Sequence, residues 1–286
     1  MLFQLNEILQ VNKLRKYFSV KKNFREIFSS TDQHFIKAVD DVSFKIEKAK
    51  ILVLAGESGS GKTTLARLIL RAIEPDSGSI IFDGQDITKK NDKELRNLRT
   101  KMQMIYQDPY TSLNPRMKIM DTIMEPLNIN KNGSESEKRD KVLKALDDVR
   151  LKPAEEIAEK FPHALSGGQR QRVALARSLV LMPKLIIADE PVSMLDVSIR
   201  AEILELMKNL KDKLQISYLY ITHDLSTSRY IGDDIAIMYG GKLVEVGPIN
   251  QVLLHPIHPY TQTLIDAVSE PDPDNLYRAK NIRNVP

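Results

Sequence analysis

The chain reads as an α/β protein built on a mainly parallel sheet, and three observations predict it. Short apolar runs alternate with amphipathic stretches of helical period along much of its length. One of those runs leads straight into a glycine-rich loop and then a helix. A charged region with helical period and no strand signal, about 117–165, interrupts the alternation and reads as a helical insertion.

The elements follow in order. "ILVLAG" (51–56) is a buried strand closing on glycine, and "TTLARLILRA" a helix behind it. "SIIFDG" (79–84) and "MQMIYQ" (102–107) are strands, as are "LIIADE" (185–190) and "SYLYIT" (217–222). "VSIRAEILELMKNLKDKL" is an amphipathic helix between the last two. "DIAIMYGGKLVEVG" (234–247) is a hairpin turning at Gly240 and Gly241. Residues 19–34 and 270–286 are polar and irregular, expected at the periphery.

Composition excludes several classes. The 286 residues, 42% hydrophobic and 28% charged, suit a globular protein with a real core. A net charge of +4 is too diffuse to argue for nucleic acid. With no cysteine, the chain has no disulfide, thiolate chemistry or cysteine-held metal. The charged N-terminus is not a signal peptide, and no apolar run approaches the roughly 18 residues of a membrane span. A soluble, cytoplasmic protein is expected.

Gly56-x4-Gly61-Lys62-Thr63 has the spacing of a phosphate-binding loop. Glycines let backbone N–H groups curl around phosphate oxygens, and a helix beginning near Lys62 points its positive end at the same anion. The expected nucleotide surface is Gly56, Glu57, Ser58, Gly59, Ser60, Gly61, Lys62, Thr63 and Thr64, with the Thr63 hydroxyl on Mg²⁺. "LIIADE" carries Asp189 and Glu190 to the carboxyl end of a buried strand, where open α/β sheets bind ligands. Asp189 is expected to orient the metal and Glu190 to polarise a water, although such a pair also serves as a helix cap. "LSGGQRQRVALARSL" (165–179) gives a second helix start suited to an anion, at Ser166, Gly167, Gly168 and Gln169.

These three motifs together resemble the nucleotide-binding subunits of ABC transporters, in which LSGGQ is the signature. The resemblance implies a P-loop ABC cassette: mainly parallel core sheet, N-terminal antiparallel β subdomain and inserted helical subdomain. It spans about residues 8–270. On this pattern Gln107 resembles the Q-loop glutamine that touches Mg²⁺ and the attacking water. Asp196 in "SMLD" resembles the D-loop aspartate of the dimer interface, and His223 in "YITHD" the switch histidine at the γ-phosphate. Tyr17 in "LRKYF" resembles the aromatic that stacks on adenine, with Phe18 and Phe35 as competitors. "YQDPYTSLNPRM" and "HPYTQTLIDAV" look like the oligopeptide/dipeptide importer branch, near its F-type ATPase subunit. The four-cysteine cluster of some relatives is absent. Two other departures are Ala49-Lys50, in place of a usual Gly-Glu at a surface turn, and Met194, in place of a small residue beside the D-loop.

The resemblance implies an ATPase, with ATP and Mg²⁺ as ligands and domains at 8–255 (cassette) and 256–286 (C-terminal extension). It implies a head-to-tail pairing with a second cassette, more readily a different D-type chain than a second copy. It also implies two transmembrane permease subunits, with this chain peripheral at the cytoplasmic face of the membrane, an extracytoplasmic solute-binding protein acting indirectly, and no nucleic acid. ABC ATPases that act on nucleic acid or ribosomes generally carry two cassettes, a coiled-coil insertion or zinc-binding cysteines, and none is here. A regulatory module without turnover is disfavoured because Glu190 is retained.

Overall fold

The computed structural model describes residues 6–19, 35–108 and 113–267. Of the irregular segments expected at 19–34 and 270–286, Ser19 ends the first strand and the rest lies outside the described residues, as do residues 109–112 of "YQDPYTSLNPRM".

Strands β1 (Glu7–Ser19) and β2 (Phe35–Glu47) pair antiparallel and join β4 (Ser77–Phe82) and β5 (Gln85–Asp86) in a four-stranded sheet ordered β2-β1-β4-β5. The core sheet is ordered β10-β9-β3-β8-β7-β6. It contains β3 (Ile51–Ala55), β6 (Met102–Ile105), β7 (Leu185–Asp189), β8 (Ser217–Thr222), β9 (Asp234–Tyr239) and β10 (Lys242–Pro248). Every pairing in it is parallel except β10 with β9. All residues of β3, β7 and β8 are buried, the signature of strands covered on both faces.

Strand alternation sorts the core into two packed layers. Ile51, Val53 and Ala55 of β3 face one layer, together with Ile186 of β7 and Tyr218 and Tyr220 of β8. Leu52 and Leu54 face the other, with Leu185, Ile187, Leu219 and Ile221. The second layer is closed by the antiparallel sheet, α1 (Lys62–Ile69) and α2 (Asp92–Arg99). The first is closed by α7 (Val197–Leu214), α8 (Leu225–Ile231) and the helical insertion.

That insertion holds α3 (Ile119–Ile129), α4 (Glu135–Asp148), α5 (Ala154–Ala158) and a 3₁₀ turn (Pro162–Ala164) before α6 (Gly167–Leu179). Ser134 and Glu137 close a reciprocal capping box that starts α4. Helices α3 and α4 both pack on α6. Two short helices, α9 (Ile249–Leu254) and α10 (Pro259–Asp266), complete the described chain. The predicted α/β architecture with its antiparallel subdomain and helical insertion is therefore the observed one.

Two packing details carry energetic consequences. Ala49, at the turn between β2 and β3, sits at φ +55° with its N–H donated to the Ser217 hydroxyl at 2.9 Å. This departure thus places an L-residue in the left-handed region. Ala49→Gly should stabilise the chain by roughly 1 kcal/mol, because relief of strain outweighs the added freedom of the unfolded chain. Urea denaturation reads this, and a less stable variant would refute it.

Gly168 lies so close to α7 that an added Cβ would stand 2.7 Å from Ile199 Cγ2. Close helix packing therefore demands this glycine independently of any ligand. Gly168→Ala should cost about 1–3 kcal/mol, and Ile199→Ala in the same chain should recover part of it. Strict additivity of the two substitutions in the same denaturation assay would contradict the contact.

Candidate functional site

The register of the core sheet gathers chain ends. Ala55 of β3 pairs with Thr222 of β8, Asp189 of β7 with Ile221 of β8, and Ile105 of β6 with Ala188 of β7. The segments that leave these strands therefore emerge side by side along one carboxyl edge. They are the glycine-rich loop, Gln107, Glu190 and His223.

The loop after β3 is tightly confined. Gly56 has φ +154° and Gly61 φ +109°, and a Cβ on either would collide with a backbone carbonyl, that of Met238 or of Ala38. The Ser60 carbonyl accepts from Gly241 N–H at 3.0 Å, which ties the loop to the hairpin tip. Lys62, 5% exposed, opens α1 and turns its ammonium back into the loop. Its Nζ donates to the Gly56 and Glu57 carbonyls, both at 2.7 Å, and approaches Ser60 Oγ at 3.5 Å. Burial lowers the Lys62 pKa, against the raising influence of Glu190, Asp189 and Glu57. Asp189 is the mirror case. Its burial raises its pKa, partly offset by the Thr63 hydroxyl, which donates to Oδ2 at 3.0 Å.

Glu190 leaves β7 at φ +48°, a conformation of the sort that strained functional residues adopt. Its carboxylate accepts from Gln107 Nε2 at 2.9 Å and from His223 Nδ1 at 2.9 Å. Since Glu190 can only accept when ionised, the His223 proton in that contact belongs on Nδ1. Three residues from the ends of β6, β7 and β8 thus meet at one carboxylate.

A cleft of about 1040 Å³ opens over this edge. Its floor is Glu57, Ser58, Gly59, Gly61, Lys62, Thr63 and Thr64, and one end is formed by Gln107, Asp189, Glu190 and His223. Phe18, Ile36, Lys37 and Ala38 form a wall with Gly240, Gly241 and Leu264. Gly56 and Ser60 support the loop from behind without lining the cleft.

Tyr17 does not line the cleft either. Neighbouring side chains alternate across a strand, and β1 presents Phe18 to the cleft instead. The Tyr17 hydroxyl donates to Asp40 Oδ1, and this bond raises the Tyr17 pKa and lowers that of Asp40. Phe35, the other competitor, pairs with Ser19 and is half exposed outside the wall. Phe18, and not the expected Tyr17 or its competitor Phe35, is therefore the one of these three aromatics that lines the cleft.

Ser166, Gly167, Gly168, Gln169 and Asp196 also lie outside this cleft. Ser166 caps α6 reciprocally with Gln169: Gln169 N–H donates to Ser166 Oγ at 3.3 Å, and Ser166 N–H to Gln169 Oε1 at 3.0 Å. Asp196 precedes α7 without a side-chain cap, flanked by Met194 (58% exposed) and Val197 (79% exposed). Sequence reasoning missed the contributions of Ile36, Lys37, Ala38 and Leu264. The Gly240-Gly241 pair was legible only as a turn.

Known proteins share much of this sequence and fold. Residues 39–193 match the ABC transporter family, and residues 244–286 match the oligopeptide/dipeptide transporter C-terminal region. The oligopeptide transport ATP-binding protein OppF of Streptococcus mutans is 48% identical over 91% of this chain and 84% of its own length. The dipeptide transport ATP-binding protein DppF of Escherichia coli is 43% identical over 94% of this chain and 78% of its own. Among solved structures, an ATP-binding cassette seen as a dimer in a post-hydrolysis state with ADP and Pi superposes with TM-score 0.72 at 27% identity, covering 84% of this chain and 98% of that one. The cbiO1 protein of Clostridium perfringens, part of the ABC transporter complex cbiONQ, gives 0.74 at 27%, covering 87% and 92%. The chain therefore belongs to the ABC transporter family as an ATP-binding, ATP-hydrolysing cassette, and it carries the C-terminal region of the oligopeptide/dipeptide branch.

Proposed function

We propose that this chain powers the import of oligopeptides, dipeptides or a related small solute by hydrolysing ATP in the cleft above the core sheet. The observation that carries the hydrolytic part is the Glu190 carboxylate, held by Gln107 and His223 beside the Lys62 loop. The names of the relatives and the matched C-terminal region support the peptide part.

In this reading the loop from Gly56 to Thr64 wraps the phosphates and Lys62 exchanges its carbonyl partners for β- and γ-phosphate oxygens. Phe18 offers the adenine a stacking face, sequence-tolerant and worth about 1–3 kcal/mol. Glu190 accepts a proton from the attacking water, and His223 and Gln107 orient that carboxylate and the γ-phosphate. The oxygens of exposed Thr63 and buried Asp189, 3.0 Å apart with Gln107 nearby in the same cleft, form a hard donor set that fits Mg²⁺. Bound there, the ion would neutralise charge on the β- and γ-phosphate oxygens.

Ser166, Gly167, Gly168, Gln169 and Asp196 serve the nucleotide of a second cassette, paired head to tail. Their position outside this chain's own cleft supports that division, as does the apolar surface of Met194 and Val197 beside Asp196. The second cassette is a D-type chain or another copy of this one. Two permease subunits, fed by an extracytoplasmic binding protein, place the pair at the cytoplasmic face of the membrane. No described helix is long and apolar enough to cross it. The cassette domain runs over 8–255 and the extension over 256–286.

Glu190→Gln should keep ATP affinity and lower turnover by about 100- to 10 000-fold, whereas Lys62→Ala should lose both. ATP titration and phosphate release on the assembled complex measure the two quantities. Near-normal hydrolysis by Glu190→Gln would overturn the role given to that carboxylate.

A further inference from the structure

The C-terminal helix α10 reaches back to the nucleotide loop. Tyr260 is 4% exposed, and its hydroxyl accepts from Glu57 N–H at 3.1 Å across a separation of 203 residues. Its ring packs on Tyr239, with centroids 4.3 Å apart at an interplanar angle of 36°. Tyr239 ends β9 just before Gly240 and Gly241, whose hairpin tip holds the Ser60 carbonyl.

The seat of α10 is itself built. Glu245 on β10 accepts from Ile257 N–H at 2.9 Å and from His258 N–H at 3.1 Å, and His258 Nδ1 caps the helix by accepting from Tyr260 N–H at 3.1 Å. One helical turn beyond Tyr260, Leu264 lines the cleft. The Glu57 peptide is therefore gripped from both sides, its N–H by Tyr260 and its carbonyl by Lys62.

We propose that α10 braces the phosphate loop, with Tyr260 as a positioning residue that holds Glu57 in the nucleotide-ready shape before ATP arrives. This rests on the reading of residues 56–64 as the phosphate site. A loop already ordered spends less of its binding energy on ordering, so the brace acts on affinity rather than on the chemical step. It makes the C-terminal extension, distant in sequence, part of the nucleotide site.

The test is Tyr260→Phe in the full chain, which keeps the ring packing and removes the acceptor. Kd and KM for ATP should rise about three- to tenfold, with kcat near the wild-type value and faster hydrogen exchange at the Glu57 amide. If Tyr260→Phe also lowers the melting temperature, Glu245→Gln, which loosens the seat of α10 without touching Tyr260, must give the same KM-selective loss. Unchanged ATP affinity in Tyr260→Phe, or a loss confined to kcat, overturns the brace. Lys62→Ala separates the two readings. If it loses ATP while Tyr260→Phe binds normally, only the brace fails; if both bind normally, the phosphate site fails with it.

Discussion

A buried ammonium organises this molecule. Lys62 is nearly enclosed, and desolvation would be costly if its charge met only apolar atoms. The loop answers by curling its own carbonyls onto Nζ, and the curl requires backbone to pass against the carbonyls of Met238 and Ala38. Glycine at 56 and 61 follows from that passage. So does the need for the end of β9 and the start of β2 on either side, which ties the two sheets together at the site. The carbonyls carry no net charge, and the opposite charge that Lys62 meets comes from the carboxylates of Glu190, Asp189 and Glu57.

The parallel register does the rest. Because β6, β7 and β8 end level with β3, their exit residues reach the loop without any long excursion. Glu190 takes a left-handed backbone there, a conformation costing on the order of 1 kcal/mol or more for a non-glycine residue. In return its carboxylate meets Gln107 and His223. The signature helix lies outside this cleft, separated from the loop by the helical insertion, so one chain supplies two surfaces that do not meet within it.

Local signals were legible in the sequence and non-local ones were not. The amphipathic period of residues 197–214 and the Gly240-Gly241 turn each depend on a few neighbouring residues, and both elements appear where expected. The loop, Asp189 and Glu190 were readable because a buried strand announces where its end will lie. Tyr17 and Phe18 were not separable, since the face each takes depends on the register shifts of β1 against β2. Ala49 gave no sign of its left-handed φ, which is a property of the turn and invisible in its composition. Tyr260 stood in a run recognisable only by family likeness, and its contact with Glu57 is made by the folded chain alone.

The central claim is that phosphate, gripped by the Lys62 loop, dominates recognition, with the base contributing a smaller, tolerant stacking term. Titration of the same chain with ATP, ADP and AMP tests it most directly. ATP and ADP should bind while AMP, which has no phosphate within reach of Lys62, binds about 100-fold or more weakly. AMP affinity within a few-fold of ATP would contradict the account.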